Sequence, residues 1–126
     1  MSVRQTALIV EDDEAVRKMY RTALTFGGFD VIEVDDAIAA LRCLEQYTVD
    51  VVVLDLILPT LSGLAVQQEI AAHAQTASIP IVIVTGSDMA LDHVHVSCVL
   101  RKPVSPDQLV AAVRACLASG APSVPS

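Results

Sequence analysis

Acidic, hydroxyl and basic side chains follow four apolar, strand-like segments of this sequence. Glu11 and Asp12 come directly after TALIV, and Asp55 is the last residue of VVVLD. Thr85 ends IVIVT, and Lys102 follows VLR. Burying a lone carboxylate costs several kcal/mol, so an aspartate at the end of an apolar run is expected to have a function.

These residue types would together suit a divalent cation and a phosphoryl group. Carboxylates that lie close together repel one another unless a cation neutralises them. Oxygen ligands select a hard ion, and a site with few carboxylates suits Mg²⁺, which keeps several waters and binds beside phosphate. Lys102 and Thr85 could then donate to phosphate oxygens. A carboxylate in such surroundings is a nucleophile able to form an acyl phosphate, so Asp55 is predicted to be a phosphoryl acceptor.

Five strand-like segments alternate with amphipathic segments along the chain. The predicted strands are residues 6–10, 30–34, 50–55, 80–85 and 97–101. The third and fourth are apolar at nearly every position, as expected for central strands covered on both faces. Strict alternation of strands and helices predicts right-handed crossovers onto an open parallel sheet. Ligands of such sheets bind outside the carboxyl ends of the strands, where the polar residues lie.

The intervening segments have helical spacing. Residues 13–27 carry Tyr20 and Leu24 on an apolar face and stop at two glycines, and residues 36–47 place Ile38, Leu41 and Leu44 on a stripe. A third helix is predicted over residues 63–73.

Two of the predicted helices have clear start signals. Asp13 is interpreted as the N-cap of the first helix in preference to a metal ligand. The last helix opens with Ser105 as N-cap, Pro106 at its first position and Gln108 completing a capping box.

Four motifs in chain order give the sequence a family resemblance. VEDDE, DLILPTLSG, IVIVTG and LRKP, each at the end of a predicted strand, resemble the receiver domain of two-component response regulators. The resemblance covers residues 6 to 117. It implies an α/β, flavodoxin-like (βα)₅ doubly wound fold with a five-stranded parallel sheet. It also implies a signalling module that accepts a phosphoryl group from a histidine kinase or a histidine phosphotransfer protein. No enzymatic activity beyond self-phosphotransfer and self-dephosphorylation is expected.

The resemblance assigns a metal site and an acceptor. Asp55 corresponds to the phosphorylated aspartate, and Glu11 and Asp12 correspond to the acidic pair of the family. Asp12 would then bind Mg²⁺ directly, and Glu11 would hold a metal-bound water. Ile57, two residues past the acceptor, would offer its backbone carbonyl to the metal.

The resemblance also assigns the residues that read the phosphoryl group. Thr85 corresponds to the switch hydroxyl, Lys102 to the phosphate-pairing lysine, and Pro103 to a proline whose preceding peptide bond is often cis. Receivers usually have an aromatic residue three positions before the lysine, where this chain has Val99. The segment between Thr85 and Lys102 is shorter than usual by about one and a half helical turns. We therefore expect its helix, the fourth of the family fold, to be shortened or irregular, and signalling to use another surface or a phosphate relay.

Length and composition limit the remaining possibilities. The 126 residues suit one domain, predicted as residues 1–118 with a Pro/Ser-rich tail or linker at 119–126. A net charge of −7 disfavours nucleic-acid binding. Neither a membrane-length apolar run nor a secretory signal is visible, so a cytoplasmic location is expected. The three cysteines are interpreted as small core residues. Besides the kinase, an unknown downstream protein is the expected partner, with the chain a monomer or weak homodimer.

Two other functions compete with the phosphoacceptor. A pseudo-receiver would dock partners without phosphorylation, and the missing aromatic at Val99 favours it, whereas the complete set of acids, threonine and lysine opposes it. An aspartyl-phosphate hydrolase of the haloacid-dehalogenase type would need a second aspartate two residues after the nucleophile. Ile57 occupies that position, which opposes the hydrolase.

Overall fold

The computed structural model describes residues 4–56, 58, 63–73, 76–86 and 98–119 of the chain. Strands and helices alternate through these ranges. They are β1 (Thr6–Val10), α1 (Glu14–Phe26), β2 (Asp30–Val34), α2 (Ala37–Gln46), β3 (Val51–Asp55), α3 (Gly63–Ala72), β4 (Ile81–Thr85), β5 (Cys98–Arg101) and α4 (Pro106–Ser119).

The five strands form one parallel sheet in the order β2-β1-β3-β4-β5. β3 lies in the middle, between β1 and β4, and every residue of β3 and β4 is buried. The prediction that these two strands are central is therefore confirmed. The chain begins with β1, next to the central strand, and then adds β2 on one side of it and β3, β4 and β5 on the other, as in doubly wound folds.

Alternate residues of each strand face opposite sides of the sheet. In β1, Ala7 and Ile9 pack into the core under α1 and α4, whereas Leu8 and Val10 pack into the core under α2 and α3. The predicted apolar face of α1 is confirmed, and α4 also buries one apolar face. Their most buried residues are Tyr20 and Leu24 in α1 and Leu109 and Val113 in α4.

The stripe predicted for α2 is wrong by about one residue. Ile38 is 45% exposed, and the residues of α2 that are fully buried are Ala37, Ala40 and Cys43. Leu41 and Leu44 are only partly buried beside them. Small side chains let a helix approach the sheet closely, so the larger apolar residues of α2 flank the contact instead of forming its centre.

The caps predicted for α1 and α4 are confirmed, and α2 is capped as well. The carboxylate of Asp13 accepts a hydrogen bond from the N–H of Val16 at 2.9 Å, and Asp36 caps α2 in the same way. Ser105 and Gln108 form the reciprocal capping box at the start of α4, at 2.9 and 3.1 Å. α1 ends at two glycines, of which Gly28 has a φ of 97° that favours glycine.

Cys43 and Cys116 are buried in the two cores and Cys98 is partly buried; all three are thiols. In the part of the chain that the structure describes, no helix is long and apolar enough to cross a membrane. The predictions for Ile57 and for the helix between β4 and β5 lie outside the described residues. Of the tail predicted at residues 119–126, Ser119 is the last residue of α4, and the remaining positions also lie outside them.

Candidate metal and phosphoacceptor site

The carboxyl ends of four neighbouring strands bring the predicted site residues to one edge of the sheet. Glu11 follows the last residue of β1, Asp55 ends β3, Thr85 ends β4 and Lys102 follows β5. The register of the sheet places Asp55 beside Val84. The N–H of Lys102 donates to the carbonyl of Thr85 at 2.9 Å, which extends the pairing of the last two strands by one residue.

Three carboxylates converge at this edge. Glu11, Asp12 and Asp55 each offer an oxygen atom, and these atoms all lie within 4.8 Å of one another. Glu11 and Asp55 are buried, whereas Asp12 is exposed. The cluster is thus buried at its base and open to solvent at Asp12.

Lys102 joins two of these carboxylates. Its Nζ lies 3.0 Å from Oε1 of Glu11 and 3.4 Å from Oδ2 of Asp55, and 31% of its side chain is exposed. Burial alone would lower the pKa of Lys102, but the hydrogen bond to Glu11 and the charge of Asp55 outweigh it and the pKa is raised. Lys102 is therefore the positive charge that partly balances the cluster.

Glu11 is a buried acid whose negative charge Lys102 compensates only in part. Burial and the proximity of Asp55 raise its pKa to about 7, against the opposing effect of Lys102. Its Oε2 atom is buried and makes no hydrogen bond to the described residues. A buried carboxylate oxygen without a partner is costly, and a divalent cation or its bound water would relieve that cost.

The residues present fit Mg²⁺. Their donors are carboxylate oxygens, which a hard cation prefers, and one side of the cluster is open to water. The uncompensated Oε2 of Glu11 and the proximity of two further carboxylates both favour a bound cation. The contribution predicted for the carbonyl of Ile57 lies outside the described residues.

The other residues of the predicted site are at the positions expected. Thr85 is buried at the end of β4, beside the lysine that follows β5. The Lys102–Pro103 peptide bond is cis, as predicted. Val99 lies on the edge strand β5 and is 37% exposed.

Arg17 is not among the residues that the sequence patterns single out, although it contacts the acidic turn. Its guanidinium donates to the carbonyl of Glu11 at 3.0 Å and lies 3.3 Å from the carboxylate of Glu33. A signal is present in the sequence, because Arg17 lies three and seven positions before Tyr20 and Leu24 and so shares the buried face of α1. A charge on an apolar helix face calls for a buried partner.

Comparison with known proteins agrees with this fold. The family described as "Response regulator receiver domain" matches residues 7–114. The chain therefore belongs to the receiver-domain family of two-component response regulators, whose members are signal-transduction modules.

Two curated relatives are longer than this chain. It is 35% identical over 121 residues to the sensory transduction protein RegX3 of Mycolicibacterium smegmatis, a match that covers 92% of this chain and 52% of the relative. It is 32% identical over 127 residues to the probable transcriptional regulator ycf27 of Guillardia theta, with 93% and 47% covered. The chain thus spans about half the length of these relatives.

A solved structure is similar over nearly its whole length. The receiver domain of the sensor histidine kinase PA1611 from Pseudomonas aeruginosa PAO1 is 26% identical, with a TM-score of 0.84 over 92% of this chain and 99% of that one. That structure contains a magnesium ion coordinated in its active-site cleft.

Proposed function

We propose that this receiver accepts a phosphoryl group on Asp55 in a Mg²⁺-dependent reaction. The observation that carries the proposal is the convergence of Glu11, Asp12 and Asp55 within 4.8 Å at the edge where Lys102 bridges two of them. The phosphodonor would be a histidine kinase or a histidine phosphotransfer protein.

The transfer moves one phosphoryl group between two side chains. A carboxylate oxygen of Asp55 attacks the phosphorus of the phosphohistidine, and the phosphorus–nitrogen bond breaks. The electron pair of that bond returns to the imidazole nitrogen, which then takes a proton. The product is an acyl phosphate on Asp55 and a free histidine on the donor.

The metal would be held by Glu11, Asp12, Asp55 and the carbonyl of Ile57. When bound, Mg²⁺ supplies positive charge against the phosphoryl oxygens and the atoms between which the group moves. Lys102 is close enough to Asp55 to donate to a phosphoryl oxygen of the product, in exchange for its present contact at 3.4 Å. The contact of Lys102 with the carboxylate of Glu11 at 3.0 Å would remain.

Thr85 would couple the modification to the protein surface. It is buried at the end of β4 and is joined through its carbonyl to the N–H of Lys102. A new hydrogen bond from its hydroxyl to the phosphoryl group would shift the ends of β4 and β5 together. Because this chain has Val99 where receivers usually have an aromatic residue, no aromatic ring can rotate inward at this position of β5. The response to phosphorylation would therefore be a change in side-chain packing.

The output of the protein would lie beyond this domain. The curated relatives are about twice as long, and one is named a transcriptional regulator. We propose residues 1–118 as the receiver and 119–126 as a tail or linker. The net charge of −7 favours a protein target over direct contact with DNA for residues 1–126.

Intact mass spectrometry tests the proposal. The protein is incubated with acetyl phosphate and Mg²⁺, and again with EDTA in place of the metal. We expect an added mass of one phosphoryl group that requires Mg²⁺ and is lost in Asp55→Asn. The matched control is Asp50→Asn, since Asp50 precedes the same strand but hydrogen-bonds to the N–H of Thr6 at the opposite end.

Three other outcomes would contradict it. An adduct that persists in Asp55→Asn would place the acceptor elsewhere. Mg²⁺ binding without any adduct would favour the pseudo-receiver, which docks partners unmodified. Continuous release of phosphate from many phosphoesters would favour a hydrolase.

A further inference from the structure

The acidic turn after β1 is held by two hydrogen bonds to the main chain of Glu11, one at its N–H and one at its carbonyl. The N–H of Glu11 donates to the carbonyl of Val34 in β2 at 3.2 Å. Its carbonyl accepts from Nη1 of Arg17 in α1 at 3.0 Å. The peptide that joins Glu11 to Asp12 is thus fixed by the side chain of Arg17, which lies in the first turn of α1.

Arg17 is itself held in place. Its Nε lies 3.3 Å from Oε1 of Glu33, and only 15% of its side chain is exposed. Glu33 is paired in register with Ile9, whose side chain packs under α1, so the carboxylate lies on the same face of the sheet as the helix. Helix side chains point back toward the N-terminus, which directs the guanidinium to the turn before α1.

The geometry of this contact suits arginine alone among the cationic side chains. The planar guanidinium has several donors in a fixed arrangement, so it can contact a carboxylate through Nε and a carbonyl through Nη1 together. Lysine has one nitrogen on a flexible chain and would not hold both acceptors in these directions. Because Glu33 balances its charge, Arg17 acts on the turn mainly through the hydrogen bond.

We infer that Arg17 is a positioning residue of the candidate metal site: anchored on Glu33, it holds the peptide between Glu11 and Asp12 and so directs both carboxylates toward Asp55. This inference rests on the proposed function for its biological meaning. Asp12 is exposed, so the direction of its side chain depends on the main chain that carries it. Groups that orient metal ligands commonly contribute roughly 10–100-fold to metal affinity.

Arg17→Met tests the inference against a matched control. Methionine keeps an unbranched aliphatic side chain and a similar helix propensity, but it removes both contacts. The control is Arg21→Met, which removes a neighbouring arginine that lies 3.5 Å from the Glu33 carboxylate and is 62% exposed. By calorimetric titration with Mg²⁺, we expect affinity to fall about 10-fold in Arg17→Met. We expect a change of less than about 2-fold in Arg21→Met, because exposed ion pairs contribute little.

A second measurement needs no metal. The N–H of Asp12 belongs to the same peptide as the carbonyl of Glu11, so its ¹⁵N chemical shift reports the hydrogen bond to Arg17. We expect the Asp12 resonance of the metal-free protein to move in Arg17→Met and to stay in place in Arg21→Met. A merely structural role of Arg17 in packing α1 would not single out this peptide.

The possible outcomes are distinguishable. Equal Mg²⁺ affinity in Arg17→Met and Arg21→Met, or an unmoved Asp12 resonance, would overturn the inference. Should Arg17→Met fail to fold, Arg17→Lys keeps the charge and the ion pair with Glu33, and we expect it to show both effects in weaker form. Unaltered affinity and shift in that variant would equally overturn it. If the unaltered chain forms no phosphoryl adduct, the proposed function fails, while these two readouts still decide the role of Arg17.

Discussion

Glu11 is the residue at which burial and charge conflict most. It is enclosed at the base of the acidic cluster, with Asp55 close by and Lys102 as its ionic partner. Its pKa is raised because the loss of solvation and the repulsion from Asp55 together exceed the attraction of the lysine. Cation binding requires the charged form, so without a cation the folded protein keeps a proton on this side chain to a higher pH than an unfolded chain does.

The raised pKa of Glu11 predicts how stability depends on pH without metal. A carboxyl whose pKa rises from 4.5 to about 7 on folding binds more protons in the folded protein between those values. The free energy of unfolding therefore falls as pH rises through this window. We expect Glu11→Gln, which cannot ionise, to lack that fall. Urea unfolding in EDTA at a series of pH values measures the difference between the two proteins.

Glu14→Gln is the control for this measurement. Glu14 is an exposed acid of the first turn of α1, and its pKa is lowered by the hydrogen bond to Lys18. The stability that Glu14 contributes is present at high pH and is lost as pH falls, which is the opposite sign. A constant difference between the unaltered protein and Glu11→Gln across the window would show that Glu11 ionises normally.

At the scale of elements, the turn between β1 and α1 has two separate tasks. Glu11 and Asp12 face the acidic cluster, while Asp13 caps α1 through the N–H of Val16. Three successive acids thus divide between a candidate metal site and a helix start. Negative charge suits both tasks: carboxylates attract a divalent cation, and an acid at a helix start interacts favourably with the partial positive charge of the helix N-terminus.

Asp13 is predicted to be a cap and not a metal ligand. Asparagine caps helices as well as aspartate does, whereas alanine costs about 1 kcal/mol of stability. We expect Asp13→Asn to keep both the free energy of unfolding and the Mg²⁺ affinity, and Asp13→Ala to lose stability alone. Urea unfolding and calorimetric titration measure the two quantities. A large loss of Mg²⁺ affinity in Asp13→Asn would make Asp13 a ligand after all.

The sequence predicts the elements well because hydrophobic periodicity and caps are local signals. Two strands, β3 and β4, begin one residue later than predicted, for identifiable reasons. The N–H of Asp50 donates to the carbonyl of Thr6, but the N–H of Thr6 donates to the side chain of Asp50 and not to a main-chain carbonyl, so regular pairing starts at Val51. The carbonyl of Pro80 accepts a hydrogen bond from the N–H of Val52, but proline has no N–H to donate, so β4 begins at Ile81.

The site is less completely predictable than the elements. Residues at strand ends are readable, since the carboxyl ends of parallel strands share one edge. The contact of Arg17 with Glu33 and the carbonyl of Glu11 depends on how α1 lies across two strands, which local periodicity does not specify. Local periodicity likewise does not specify how α2 lies on the sheet. In the structure α2 buries Ala37, Ala40 and Cys43 against the sheet and leaves Ile38 exposed.

At the scale of the whole molecule, folding itself assembles the candidate metal site. Its carboxylates come from the ends of β1 and β3, which are neighbours in the sheet but about forty residues apart in the chain. An unfolded chain cannot hold them together at low energy cost. Metal binding is therefore expected to be coupled to global stability.

Mg²⁺ is predicted to stabilise the protein against unfolding. A ligand that binds only the folded chain adds about 2.7 kcal/mol at a free concentration one hundred times its Kd. We expect Asp12→Asn to remove most of this gain while leaving stability in EDTA unchanged or higher, because one repulsive charge is lost. Asp35→Asn, an exposed acid after β2, is the control with the same charge change. Equal stabilisation of Asp12→Asn and the control would place the cation elsewhere.

Two cysteines give this molecule built-in reporters on either side of its sheet. Cys43 belongs to the layer that contains α2 and α3, and Cys116 to the layer that contains α1 and α4. A thiol reagent reaches either sulfur only when the layer that contains it opens, so the two alkylation rates measure the local opening of the two layers separately. With the partly buried Cys98 replaced by serine, the same labelling before and after the proposed phosphorylation of Asp55 would show which of the two layers opens more often in the modified protein.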